Sequence, residues 1–201
     1  MHASHAWRQR LSTGTAVAQE EVNGWYRETP RGKGYVPAMV WGTLQTEAYA
    51  TIVLRRVVAF LDVPDDVAAG AAKRMERQQV LYDGEHHYDV VLGEQALYTD
   101  IGGPKVMTEQ LERLLRDIGL PSLSLGVLPR AAEVACVPAP GFNLHGDGRA
   151  HYELVSGSVD IVDPAEVDLH EKAFGALSAA ACYGDAAEEL IRQALAFWRD
   201  V

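Results

Sequence analysis

The stretch Gly42-Thr43-Leu44-Gln45-Thr46-Glu47-Ala48-Tyr49-Ala50 opens the most apolar segment of the chain. Gly42 permits a tight turn of the backbone, and Thr43 or Thr46 can accept a hydrogen bond from a free amide of a first helical turn. Only two of the residues from 51 to 61 are charged. The pattern therefore predicts a helix from about residue 46 to 61 that is buried on most of its surface.

Outward from this helix, hydrophobic periodicity and turn signals predict the other elements. Residues 30–37 are rich in Gly, Lys and Arg and are predicted to be a loop. The predicted fold class is α+β: one mostly antiparallel sheet of about five strands packed with helices. Further helices are predicted at about 12–28, 64–82, 104–119, 163–183 and 186–199, and strands at about 86–92, 123–128, 142–145, 150–155 and 159–162.

Length and composition limit the domain organisation and the partners. A chain of 201 residues is expected to form one domain. We expect residues 1–11 to be a disordered N-terminal tail and residues 12–201 to be a single effector-like or regulator-like domain. The formal net charge is −10, which disfavours direct nucleic-acid binding because that rests on neutralising phosphates with Lys and Arg. A small-molecule ligand or a regulator protein is the expected partner, and a homodimer is a further possibility.

The cysteine pattern and the apolar runs bear on cofactors and compartment. Cys136 and Cys182 have no CxxC spacing, so no metal or cofactor is predicted. No N-terminal run resembles a signal peptide, and no stretch reaches the ~18 apolar residues of a membrane span. We therefore expect a cytoplasmic protein without membrane contact.

A hairpin around Asp147-Gly148 brings together the most interesting polar side chains. With a two-residue turn, Asn143, His145 and Tyr152 would share one face of the hairpin, and Leu144, His151 and Glu153 the other. His and Tyr can transfer protons, and Asn can hold a carbonyl group. The alternative is an ordinary polar, solvent-facing side of an antiparallel sheet.

Two carboxylates and two aromatic residues complete the candidate set. Glu94 or Glu153 could act as a base if buried, because burial raises the pKa of a carboxyl group, or could cap amides or pair with an arginine. Trp41 and Tyr49 flank the turn that opens the central helix, where Trp41 either walls a pocket or fills the core. The candidate catalytic residues, if the protein is an enzyme, are His145, Tyr152 and Glu153; the candidate ligand-binding residues are Trp41, Tyr49, Glu94 and Asn143.

The basic run of the predicted 64–82 helix has a simpler interpretation. Lys73, Arg74 and Arg77 are expected to form a solvated face that makes ion pairs with Glu76 and its neighbours.

Several motifs together resemble one family of domains. Gly42 to Ala50 is similar to a Gly-Leu-Leu-Gln-Thr-x-x-Tyr-Ala motif, and Arg74, Arg77 and Gln78 match an Arg-x-x-Arg-Gln helix. Residues 102–111 match Gly-Gly-x-x-Val-Met-x-x-Gln-Leu. The family is an actinobacterial, antitoxin-like regulator domain that usually follows an XRE-type helix-turn-helix, and the resemblance covers roughly residues 20–198.

The chain departs from this family in ways that leave the function open. No helix-turn-helix precedes residue 12, Trp41 stands where the family usually has proline, and residues 130–140 replace a shorter loop. The resemblance implies a stand-alone effector- or partner-binding module that lacks direct DNA contact. An alternative is a biosynthetic enzyme on the same fold that performs a cyclisation, elimination or isomerisation by acid-base catalysis. A third hypothesis is a remnant that acts only as a dimerisation partner.

Overall fold

The computed structural model describes residues 2–137, 139–146 and 148–201. Pro138 of the predicted loop and Asp147 of the predicted hairpin turn lie outside the described residues. The helices are α1 (Trp7–Arg10), α2 (Thr15–Glu28), α3 (Glu47–Leu61), α4 (Val67–Arg77), α5 (Gly103–Asp117), α6 (Pro164–Ala180) and α7 (Asp185–Asp200). The strands are β1 (His2–Ala6), β2 (Arg31–Val36), β3 (His87–Gly93), β4 (Leu123–Leu128), β5 (Phe142–His145), β6 (Arg149–Glu153) and β7 (Gly157–Ile161).

The fold is α+β, but the predicted sheet of about five mostly antiparallel strands is wrong. The sheet has seven strands in the order β1-β7-β6-β5-β2-β3-β4. Strands β2, β3 and β4 run parallel to one another, whereas β2 pairs antiparallel with β5. The hairpins of β5, β6 and β7 continue the antiparallel half. Helix-containing connections join the parallel strands, as parallel pairing requires. With a parallel half and an antiparallel half, the sheet is mixed.

Strand β2, predicted to be a loop, joins the two halves of the sheet. Glycine and lysine are depleted in strands, so the sequence Arg-Gly-Lys-Gly at its start does not predict a strand. A Cβ atom on Gly32 would lie 2.9 Å from the ring of Tyr88, and one on Gly34 would lie 3.0 Å from Nε1 of Trp41. The glycines of β2 are therefore needed for the close approach of aromatic rings to the sheet.

Strand β1 lies in the segment expected to be a disordered tail. Its residues 2–6 pair antiparallel with β7 at the edge of the sheet. The indole of Trp7, which follows β1, donates a hydrogen bond of 2.7 Å to the carbonyl of Leu154. The N-terminal segment thus closes over the turn between β6 and β7.

The buried turn before α3 is held by side chains from α4 and α5 and from the short 3₁₀ helix after α4. The carbonyl of Gln45 accepts hydrogen bonds of 2.7 Å from both Gln78 and Arg113. The amide nitrogen of Thr46 donates to Oε1 of Gln110 at 2.7 Å. The side chain of Thr46, one of the two predicted cap candidates, caps α3 by accepting a hydrogen bond from the amide of Tyr49. These bonds satisfy backbone groups that water does not reach.

Two apolar cores lie on the two faces of the sheet. Helix α6 packs against one face, with Val167, Phe174 and Leu177 over Phe142 and neighbouring strand residues. The larger core lies on the other face, under α2, α3, α5 and α7. Within the part of the chain that the structure describes, no helix has both the length and the apolar character to cross a membrane.

The apolar stripe of α5 gives a test of the larger core. Leu111 and Leu114 are both fully buried, so Leu111→Ala and Leu114→Ala should each lower the free energy of unfolding by ~2–5 kcal/mol. Chemical denaturation measures this change, and Leu169→Ala is a matched control because Leu169 is 64% exposed. Losses under ~0.5 kcal/mol at both α5 positions, the range of a surface change, would contradict the packing.

Candidate functional site

The register of the β5–β6 hairpin differs by one residue from the register predicted with a two-residue turn. His145 pairs with Arg149, and Asn143 pairs with His151, so three residues separate the strands. The shift turns every side chain of β6 to the opposite face relative to β5. Gly146, the first residue of this loop, has a φ of 57°, a left-handed conformation that glycine adopts without steric cost.

This register selects a different set of polar residues from the predicted one. Asn143, His145, His151 and Glu153 share the face that lines a cavity. His151, which the sequence places on the wrong face, is the missed member of the site. Tyr152 lies instead on the α6 face, where its ring is 5.7 Å from Phe142 and 5.3 Å from His170.

The cavity has a volume of about 600 Å³ and lies between this face of the sheet and helices α2, α3 and α4. Its lining is largely apolar and aromatic. The polar lining residues are Arg10, Thr15, Gln19, Gln45, Arg74, Arg77, Asn143, His145, His151 and Glu153. The principal apolar ones are Trp7, Leu11, Ala18, Val22, Trp25, Tyr26, Met39, Val40, Trp41, Val53, Leu54, Val57, Phe60, Leu61, Leu154 and Val155.

The exposed part of the lining locates the mouth of the cavity. Phe60 near the end of α3 is 73% exposed, and Val155 in the turn after β6 is 79% exposed. Arg74, Arg77 and Trp41 are buried. The cavity therefore opens between the end of α3 and the β6–β7 turn and reaches inward to α4.

Trp41 contributes both a wall and an orienting hydrogen bond. Its ring centroid lies 5.7 Å from that of Tyr26 and 5.4 Å from that of Tyr88. Its indole donates a hydrogen bond of 2.9 Å to Oδ1 of Asn143. Since that oxygen accepts from Trp41, the amide NH₂ of Asn143 is the group left to donate to a ligand.

His151 and Asp160 form a buried pair at the cavity wall. Nδ1 of His151 lies 2.9 Å from Oδ1 of Asp160, and His151 is 3% exposed. Although burial opposes it, the hydrogen bond from His151 and the charges of His151 and Arg149 lower the pKa of Asp160. An imidazole oriented in this way by a carboxylate is the usual arrangement of a general base.

His145 is a neutral group in the same wall. Burial, reinforced by His151, Arg149 and Arg77, lowers its pKa to about 3. Its Nδ1 atom is buried without a hydrogen-bond partner among the described residues. The indole of Trp25 packs edge-on against both imidazoles, with ring centroids 5.6 Å from His145 and 5.1 Å from His151.

Arg74 and Arg77 do not form the solvated face that their spacing suggests. Both are buried and line the cavity, whereas Lys73 lies on the solvent side and pairs with Glu76 at 2.9 Å. The arginines contact neutral groups of α2 and of the turn before α3.

Besides Tyr152, two further candidate residues lie away from the cavity. Tyr49 is fully buried, and its hydroxyl accepts a hydrogen bond of 3.1 Å from the amide of Val40. Its role is therefore to hold the backbone just before the turn that precedes α3. Glu94 follows β3 and accepts a hydrogen bond of 2.8 Å from the amide of Arg130. The structure thus brings together Trp41, Asn143, His145 and Glu153 of the predicted set and leaves out Tyr49, Glu94 and Tyr152.

Comparisons with known proteins give one family and several structural likenesses, including the following two, which are distant. A family model described as "Domain of unknown function (DUF5753)" matches residues 31–193. The archaeal chromatin protein TrmBL2 aligns at 10% identity with a TM-score of 0.46, over 91% of this chain and 53% of that chain, so this chain spans about half its length. NucT from Helicobacter pylori aligns at 6% identity with a TM-score of 0.49, over 92% and 99% of the two chains. No curated protein matches significantly.

The environment of His145 predicts a pH dependence of stability. Because its folded pKa of about 3 lies below the ordinary value of 6.5, folding keeps the ring neutral while the unfolded chain takes up a proton below pH ~6.5. The contribution of His145 to the free energy of unfolding is therefore fully present above pH ~6.5, and it is lost as the pH falls towards 3. Between pH 6.5 and 5, the wild type should lose at most about 1.4 kcal/mol per pH unit more than His145→Gln. Denaturation at several pH values measures this difference, and parallel curves for the two proteins would contradict it.

Proposed function

The chain belongs to the DUF5753 family, and from this premise we propose that it is an effector-binding module that holds a small molecule between the sheet and helices α2, α3 and α4. The resemblance of Gly42–Ala50 and of the α4 motif to an XRE-type, antitoxin-like regulator domain of actinobacteria supports a regulatory role. In that role the occupied or empty cavity alters contact with a regulator protein. We also propose that the module acts in the cytoplasm, because Cys136 and Cys182 are both free thiols.

The observation that carries this proposal is the cavity itself. A volume of about 600 Å³ falls in the range of small-molecule sites, ~300–1,000 Å³. Apolar and aromatic side chains form most of its wall, and a few oriented polar groups converge on it, among them Asn143, His145 and His151. This combination is the usual form of a ligand pocket.

The pair of His151 and Asp160 favours an enzyme as the second candidate. In that case His151 is the proton-transfer group and Asp160 its positioning residue, in place of the predicted Tyr152. A compound that the protein captures from an extract of its source cells separates the candidates. Chromatography coupled to mass spectrometry should detect that compound unchanged after incubation with a binding module. An enzyme would return an isomer or an elimination product, and its His151→Gln variant would not.

Binding of a neutral fluorescent probe tests the cavity. We expect N-phenyl-1-naphthylamine to bind with enhanced emission, and Val57→Trp to weaken this binding at least ~tenfold by filling the pocket, a loss of ~1.4 kcal/mol. Val57 is half-buried and lines the cavity. Fluorescence titration measures the dissociation constant.

Ala59→Trp is the matched control, because Ala59 lies on the same helix but is exposed and outside the cavity lining. It should leave probe binding unchanged. Equal effects of the two substitutions, or no binding by the wild type, would contradict the proposal, provided that circular dichroism shows both variants folded.

Direct recognition of duplex DNA is not part of this proposal. The net charge of −10 opposes the phosphate contacts that supply most DNA affinity. A mobility-shift assay at physiological salt with the promoter of its own gene should therefore show no specific band. Nanomolar, sequence-dependent retardation would contradict this prediction.

A further inference from the structure

Two guanidinium groups enter the cavity from one face of α4. Arg74 and Arg77 are three residues apart, so their side chains are neighbours on the helix. They are only 9% and 6% exposed, respectively, and both line the cavity. Lys73 of the same helix is half-exposed and does not line the cavity, and it pairs with the carboxylates of Glu20 and Glu76.

The described partners of both arginines are neutral. Arg74 donates from Nε to Oε1 of Gln19 at 3.2 Å and from Nη1 to Oε1 of Gln45 at 2.6 Å. Arg77 donates from Nε to Oγ1 of Thr43 at 3.2 Å and from Nη1 to Gln19 at 3.3 Å. None of the ion pairs among the described residues includes Arg74 or Arg77, and no described hydrogen bond uses Nη2 of either.

The neutral partners are themselves fixed, so they orient the arginines. The NH₂ group of Gln45 donates to the carbonyl of Val40 at 2.7 Å, which points the amide oxygen of Gln45 at Arg74. Arg77 also packs over the ring of Tyr26, 5.1 Å from its centroid. A Cβ atom on Gly42 would lie 3.0 Å from Nη2 of Arg77, so the glycine leaves room for this guanidinium.

Two buried like charges without a carboxylate are an unfavourable arrangement by themselves. Burial costs each cation its hydration, and buried charges in proteins are ordinarily paired. Burial, reinforced by the neighbouring charge of Arg77, lowers the pKa of Arg74 to about 10, and burial also lowers the pKa of Arg77. Arginine is effectively always protonated in proteins, so both groups are cationic at neutral pH. Glu153 favours their charged forms through space, but it lies at the exposed side of the cavity.

We propose that the ligand of this cavity is an amphipathic carboxylate, whose anionic head binds Arg74 and Arg77 and whose apolar body lies along α3. This inference rests on the proposed function and adds the chemical class of the ligand. The Nη2 groups of the two arginines supply donors for the two oxygens of one carboxylate. Val53, Val57 and Phe60 supply the apolar wall that leads from this end to the mouth.

A carboxylate fits the charges of the cavity better than a phosphate group does. Arg10, the third arginine of the lining, already pairs with Glu21 at 2.9 Å. The other lining charges, those of Arg74, Arg77 and the more exposed Glu153, sum to +1, which one carboxylate balances, whereas a phosphate dianion would leave an excess of negative charge. The largely apolar lining also favours a single small polar head.

A pair of probes that differ in one anionic group tests the proposal. 8-Anilinonaphthalene-1-sulfonate is N-phenyl-1-naphthylamine with a sulfonate, which here stands in for the carboxylate. Arg74→Met and Arg77→Met should each weaken binding of the sulfonate probe by about tenfold or more, the scale of a lost hydrogen bond to a charged group. Binding of the neutral probe should stay within about threefold, since it depends on the apolar wall.

Further variants keep the test independent of general charge and of folding. Lys73→Met removes one positive charge from the solvent side of α4 and should change the affinity of neither probe. Arg74→Lys retains the charge but loses the fork of donors, so it should weaken the sulfonate probe less than Arg74→Met does. Unchanged binding of the neutral probe shows, for each variant, that the cavity is intact.

Displacement from the wild type distinguishes the two anion classes. Decanoate should displace the sulfonate probe at lower concentration than decyl phosphate does, and the reverse order would overturn the carboxylate assignment. If both arginine variants keep the cavity intact and bind the sulfonate probe within about threefold of the wild type, the anion site is overturned and the effector-binding proposal still stands. A different result would contradict the effector-binding proposal: the Val57→Trp variant would then bind the neutral probe as tightly as the wild type does.

Discussion

The buried turn from Gly42 to Thr46 constrains the rest of the structure. It changes the direction of the chain inside the protein, where its amide and carbonyl groups have no water to bind, so side chains must satisfy them. Gln78, Gln110 and Arg113 do this from elements distant in sequence. The same turn holds Arg74 through the side chain of Gln45. Satisfying one buried turn thus fixes how α3, α4 and α5 sit together, and it places a guanidinium at the inner end of the cavity.

The mixed sheet explains why the cavity lies where it does. Over the parallel half, α5 and α7 pack directly against large side chains of β3 and β4. Over the antiparallel half, β2 presents glycine and the hairpin presents Asn143, His145 and His151, none of which fills the space below α3. Aromatic rings of α2 and of the loop after β2 close the sides. A space with apolar walls and a polar floor is the result.

Elements with a strong local pattern could be predicted from the sequence. The apolar period gives α3 and α5 with nearly correct ends, and the threonine that caps α3, Thr46, is one of the two candidates that the sequence offered. Strand β2 could not be predicted, because its glycines serve rings that arrive from elsewhere in the chain. The hairpin itself was predicted, but with a two-residue turn where the structure has three residues between the strands, and that difference exchanges Tyr152 for His151. The burial of Arg74 and Arg77 depends on tertiary packing, since basic residues at this spacing are equally typical of a solvated helix.

The double role of α4 has a consequence for how related chains can diverge. Arg74 and Arg77 serve the scaffold as well as the cavity, because fixed amide and hydroxyl oxygens depend on them as donors. The opposite wall is apolar and includes Val53, Val57 and Phe60. Because apolar side chains donate no hydrogen bonds, this wall can change in size and shape without breaking a polar network. Diversification within the fold should therefore keep the charged end of the cavity and remodel the apolar end. Chains of one lineage would then accept chemically varied molecules that share the same kind of head group.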